Sequence, residues 1–232
     1  MIKSMRNMTI KEIENLQTLE LDDSFEFRCK ECGKCCKDRH DLLLTPYDLY
    51  RIASFLVRTP EEILERYCEV YEGHTSHSPV VRVKPIPPDN ACPFLRNKKC
   101  VIHAKKPVVC RVYPLARIFV DGKSKYCLSG AGCKHEPRSI TVREWIADVA
   151  SEESEQVAQL WGDTLATILP LIHPDKLKVS KDIREKILNI MLYSLWLDYD
   201  MKEPFIPQLS RNAAKLTLVL KELQDDLSKV DL

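Results

Sequence analysis

Four thiols stand within eight residues in Phe27-Arg28-Cys29-Lys30-Glu31-Cys32-Gly33-Lys34-Cys35-Cys36, giving C-x2-C-x2-C-C. A C-x-x-C turn aims two sulfurs at one metal while backbone amides donate to them, and a following glycine relieves the tight turn. Tetrahedral zinc and iron–sulfur clusters are served alike by that geometry. Neighbouring side chains in an extended segment point apart, so Cys35 and Cys36 are not expected to face one ion in the same manner, and one of them is available to a second site. Further thiols follow at Cys92, in Cys92-Pro93-Phe94-Leu95, at Cys100 and Cys110, and at Cys127 and Cys133. Two four-sulfur sites are therefore possible.

The ten cysteines all precede residue 134. Disulfides form in oxidising compartments, whereas the opening MIKSMRNMTIKEIENL lacks the apolar core of a signal peptide and no apolar run approaches the ~18 residues of a membrane span. A cytoplasmic chain without a membrane segment is expected, and with it metal or redox use of the thiols. Cys68 differs from the others: it lies four residues after Leu64 on an apolar helical face, the spacing of a packing residue. Three cysteines at C-x2-C-x2-C with a distant Cys-Pro resemble bacterial ferredoxin ligation, and there is no second C-x-x-C of the kind paired in zinc knuckles. Iron–sulfur, with a [4Fe-4S] cluster first, is thus expected ahead of structural zinc.

Other chemistry is thin. The six glycines form neither G-x-G-x-x-G nor a P-loop, and no Ser/His/Asp or paired-carboxylate pattern is legible. His103 and Tyr113 flank the later cysteines and could move protons, but packing around the sulfurs is the simpler role. His74 and His77 beside Glu72 read as an exposed polar loop before a second metal site, and His135 is an alternative ligand beside Cys133. Residues 90–120 carry Arg96, Lys98, Lys99, Lys105, Lys106, Arg111 and Arg117 and no acid. A four-thiolate zinc or [4Fe-4S]2+ site has a formal charge of about −2, so cations are expected beside it. Nucleic-acid binding is not expected, because no aromatic platform accompanies the patch.

Together these residues resemble the YkgJ-like cysteine-cluster family, a zinc- or iron-chelating domain with a CxxCxxCC motif, over roughly residues 25–145. The first motif falls on Cys29, Cys32, Cys35 and Cys36. The second, C-P-F-L followed by C-x-I-[YH]-x-x-[RK]-P-x-x-C-R-x-[FY]-P, falls on Cys92, Cys100, Cys110, Arg111, Tyr113 and Pro114. The family's last cysteine, usually before Pro-Gly, is similar to Cys127, here followed by Leu128-Ser129-Gly130. The resemblance implies metal binding by Cys29, Cys32, Cys35, Cys36, Cys92, Cys100, Cys110 and Cys127, with Cys133 and His135 open as replacements for Cys127. Flagellin lysine-N-methylases look like distant relatives. The radical SAM pattern C-x3-C-x2-C is absent, since position 39 is Arg39. Three roles stay open: electron transfer or redox sensing, protein modification, and a zinc-stabilised interaction module, the partner being an unidentified protein or protein substrate.

The scaffold for these thiols must come from 232 residues that are 44% hydrophobic and 30% charged with a net charge of +1, an ordinary globular composition. Residues 1–140 carry 24 basic and 18 acidic groups and 141–232 carry 11 and 16, so the chain runs from +6 to −5. Ile10, Ile13, Leu16 and Leu19 suggest a short first helix. Thr45-Pro46-Tyr47-Asp48 and Thr59-Pro60-Glu61-Glu62 each read as a helix start, and Thr141-Val142-Arg143-Glu144 as a capping box. Val80–Lys84 alternates as a strand does, and Arg117–Val120 runs into a hairpin turn at Asp121-Gly122. Residues 181–198 and 211–228 are amphipathic, with Pro170, Pro174, Pro204 and Pro207 expected at breaks. The expected fold is α+β and mostly helical. A segment at 1–20 and a cysteine-rich metal-binding unit with a short hairpin at 21–140 are followed by helices at 141–232, packed on that unit as one body.

Overall fold

The computed structural model describes residues 18–38, 42–120, 123–128 and 138–230. The predicted first helix, the Asp121-Gly122 turn, Cys133 and His135 lie outside the described residues. In chain order the elements begin with β1 (Ser24–Glu26), β2 (Leu43–Leu44), α1 (Pro46–Leu56), α2 (Pro60–Tyr67), β3 (Cys68–Glu72) and β4 (Pro79–Val83). They continue with β5 (Leu95–Arg96), β6 (Lys99–Cys100), α3 (Val108–Arg111), β7 (Leu115–Val120), β8 (Lys123–Leu128), β9 (Ser139–Thr141) and α4 (Val142–Trp145). The last helices are α5 (Glu152–Ile172), α6 (Lys181–Leu192) and α7 (Phe205–Val230). An α+β class with small sheets and more helix than strand follows.

Two compact units result, one from the described residues up to Leu42 with Pro85–Ser151, the other from Leu43–Lys84 with Glu152–Leu232. In the first, β1 pairs antiparallel with β9, Phe25 opposite Ile140, and β7 pairs with β8. Phe25, Phe27, Val112, Leu115, Tyr126, Val142 and Ile146 form its core. Trp145 stands edge-on to Phe25 and Phe27 at 6.1 and 5.2 Å, and its indole N–H donates to the Val112 carbonyl at 3.1 Å. Buried apolar residues sit two positions from four of the cysteines: Phe27 before Cys29, Phe94 after Cys92, Ile102 after Cys100 and Val112 after Cys110. Each thiol segment is thereby pinned by a side chain whose burial contributes about 1.5–3 kcal/mol.

In the second unit the helix starts read from sequence are present as capping boxes. Thr45 Oγ1 accepts from the Asp48 amide while the Asp48 carboxylate accepts from the Thr45 amide at 3.0 Å, and Thr59 and Glu62 repeat the exchange. Asp48 is buried, and the box supplies its partners. Thr59→Ala should cost about 1 kcal/mol, measured by denaturant unfolding. The Thr59 amide holds the Glu62 carboxyl below its usual 4.5, so this cap is at full strength above that pH and fades as the pH falls further. An NMR titration of Glu62 should find its midpoint below 4.5.

The sheet order is β2-β4-β3, antiparallel, with Val81 and Val83 buried on one face of β4. Two prolines depart from expectation. Pro207 lies inside the first turn of α7, where its missing N–H has no intrahelical partner to lose, and Pro170 lies within the last turn of α5. The expected breaks at 170 and 207 are therefore helix-end positions, and α7 starts at Phe205, six residues before the amphipathic pattern is legible. Gln208 anchors that start, its amide donating to the carbonyls of Asp200, Glu203 and Pro204. No helix among the described residues is long and apolar enough to cross a membrane.

Candidate metal centre

The first cysteine motif is not extended. Glu31 and Gly33 take φ of 50° and 71°, and Lys34–Cys36 forms a 3-10 turn. The backbone here is therefore not the extended segment assumed for Cys35 and Cys36, and a side-chain hydrogen bond between them is the largest cause raising the Cys36 thiol.

The turn is fastened to the segment carrying the next thiols. The Cys92 amide donates to the Cys36 carbonyl at 2.7 Å, the Asp38 amide to the Asp89 carbonyl at 3.1 Å, and Lys37 pairs with Asp89 at 2.9 Å. Residues Leu95–Cys100 form a hairpin whose two turn residues, Asn97 and Lys98, both have positive φ. The Gly33 backbone lies against this hairpin, and a Cβ there would stand 3.0 Å from both the Lys98 carbonyl oxygen and Leu95 Cδ1.

With the segments fastened in this way, the fields of Cys35, Cys92 and Cys100 all reach Cys36. The hydrogen bond to Cys35 holds the Cys36 proton most strongly; burial and the fields of Cys35, Cys92 and Cys100 add to it, so this thiol is pushed far above its usual range. Burial also raises the Cys100 thiol, with Cys35 adding, while the Ile102 amide and the Lys106 ammonium oppose the rise. A cation bound among the four would replace those protons and remove the mutual repulsion of the thiolates.

Backbone amides complete the resemblance to a ligand shell. Glu31 N–H donates to Cys29 Sγ at 3.4 Å, and Ile102 N–H to Cys100, each from two residues downstream of its sulfur. Such donors stabilise thiolate. The donor set therefore fits a soft, thiophilic metal or cluster. Among the described residues no three Cys, His, Asp or Glu side chains are already closed around a common point at metal distances.

The remaining candidates are placed differently. Cys29 and Cys32 are exposed, and Cys110 is half-buried on α3. Cys127 is buried on β8, where its thiol donates to the Ala116 carbonyl at 3.8 Å and burial raises its pKa. Cys68 starts β3 in the second unit, opposite Val83, and is buried. His103 Nε2 lies 3.9 Å from Glu31, and Tyr113 packs edge-on against Phe27 at 6.3 Å. Arg111 donates to the Asp148 carbonyl at 2.8 Å, and the Lys106 ammonium acts on Cys100. His77 is 3.7 Å from a Glu72 carboxylate that Arg184 also holds at 2.8 Å. Sequence reasoning missed the backing of Gly33 by Lys98 and the tie to Asp89. Asn97 between two short polar strands was the available sign of the hairpin.

Comparison with known proteins agrees with the thiol chemistry. The profile of a family described as "putative zinc- or iron-chelating domain", CxxCxxCC, matches residues 28–146. An uncharacterized protein of Methanocaldococcus jannaschii is 31% identical over 99 residues, which are 42% of this chain and 49% of that relative. The chain thus spans about half the length of the curated relative it matches. No solved structure matches.

Proposed function

The chain belongs to the CxxCxxCC family of zinc- or iron-chelating domains, and from that premise we propose that it carries an iron–sulfur centre serving electron transfer or redox sensing. The observation that carries this reading is the backbone tie between the two cysteine segments, the Cys92 amide donating to the Cys36 carbonyl at 2.7 Å, which brings Cys35 and Cys36 within the electrostatic reach of Cys92 and Cys100. Cys35 closes the C-x2-C-x2-C run and Cys92 precedes Pro93, so the backbone tie sets the end of the run beside a remote Cys-Pro, the two parts that ferredoxin-type ligation combines. Cys29 and Cys32, with Cys110 and Cys127, are the candidates to complete this centre or to form a second one. When bound, a cluster supplies reversible one-electron chemistry. The chain's own contribution is to hold the sulfurs together, to donate amide hydrogen bonds to them and to place Lys106 where it offsets negative charge.

The same four thiols would also satisfy tetrahedral zinc. Reduction separates the two. Anaerobically purified protein should absorb broadly near ~400 nm from iron–thiolate charge transfer and should bleach on adding dithionite. A colourless protein indifferent to reductant would overturn the redox reading and leave a zinc-stabilised module.

A further inference from the structure

We propose that the hairpin beside the thiol group is a docking surface for a carboxylate-rich protein partner. Arg96, Lys98 and Lys99 are exposed on β5, its turn and β6, Lys105 is exposed just beyond, and Lys34 is exposed on the cysteine turn whose Gly33 touches the Lys98 carbonyl. Of the nearby carboxylates, Asp89 pairs with Lys37 and Glu31 lies 3.9 Å from His103, and neither these nor Asp38 is on the hairpin. The hairpin is thus a basic rim with no carboxylate of its own. Within the rim, Val101 is exposed among the lysines.

Lys98 is the most informative member. It occupies the second position of a two-residue hairpin turn at φ 63°, next to Asn97 at φ 49°. Glycine is the residue such a turn favours, because a Cβ is strained at positive φ. A lysine there costs local stability, and what it supplies is an exposed ammonium at the tip of the hairpin. Backbone strain kept for the sake of a side chain is characteristic of binding sites. Cations around a small aliphatic spot suit an acidic protein surface, where complementary charge speeds encounter and fixes register. A nucleic acid is less suited, because no aromatic side chain is among the exposed large hydrophobics of this unit's described residues, so bases have nothing to stack on. The inference stands whichever metal the thiols hold.

The test uses the full-length, metal-loaded chain with poly-L-glutamate and poly(U) as probes at two salt concentrations. Poly-L-glutamate should bind with strong salt dependence. Lys98→Gly should weaken that binding severalfold while raising Tm and keeping metal content, since it relieves the strained turn and retains the carbonyl that backs Gly33. Lys99→Glu and Lys105→Glu should weaken binding further, and Lys215→Glu on α7 should not. No binding of poly-L-glutamate, equal loss in the Lys215 variant, or metal loss on Lys98→Gly would overturn the proposal. Tighter binding of poly(U) than of poly-L-glutamate would replace it with a nucleic-acid surface.

Discussion

Cys36→Ser should yield protein that has lost its metal and whose first unit is unfolded or molten, whereas Cys68→Ala should keep full metal content. Cys36 joins the two segments: its carbonyl accepts from the Cys92 amide, and a hydrogen bond to Cys35 with the fields of Cys92 and Cys100 raises its thiol. Structural metal binding is coupled to folding, with apparent free energies of about 10–16 kcal/mol for zinc in small domains, so removing a ligand costs several kcal/mol. The apolar core around Phe27 is small, and without the centre the motif has only a few hydrogen bonds to hold it on the hairpin. Cys68→Ala, in the second unit and away from the two cysteine motifs, should cost about 1 kcal/mol. Metal per chain and circular dichroism on both variants check the pair. Full metal content in Cys36→Ser would remove this thiol from the centre.

Gly33→Ala should be the most damaging change that touches no ligand. Its φ of 71° is costly for any residue with a Cβ, and the added methyl would press on the Lys98 carbonyl and Leu95 at 3.0 Å. A left-handed conformation costs roughly 1–2 kcal/mol for an L-residue. The crowding adds about 1–3 kcal/mol, since one of the two neighbours is backbone and cannot rotate away. The turn carrying Cys35 and Cys36 must then lift off the hairpin, so metal affinity falls along with stability. Chelator competition should show faster metal release from Gly33→Ala than from the parent. Lys98→Gly, on the opposite side of the same contact, is expected to move Tm the other way.

What could be read from the chain alone is mostly local. The boxes at Thr45, Thr59 and Thr141 depend on residues three apart, and all three are present. The cysteine motifs were legible for the same reason: spacing of two or three residues constrains a turn regardless of the surroundings. Long-range partnerships were not legible. Ser24–Glu26 pairs with Ser139–Thr141 across more than a hundred residues, and nothing in either three-residue strand specifies the other. Likewise Tyr47 and Tyr50 pack on Phe205 at 5.0 and 5.2 Å, which places Leu43–Lys84 with the last helices in one unit, and aromatic residues carry no address. The divergence expected of Cys35 and Cys36 assumed an extended backbone. The backbone there is a glycine at positive φ followed by a 3-10 turn.

Counting iron, acid-labile sulfide and zinc per chain in anaerobically purified protein is the test of the proposed iron–sulfur centre. Iron and sulfide are expected in about equal amounts, on the order of four of each for one cubane, with little zinc. About one zinc per chain, with neither iron nor sulfide, would contradict it.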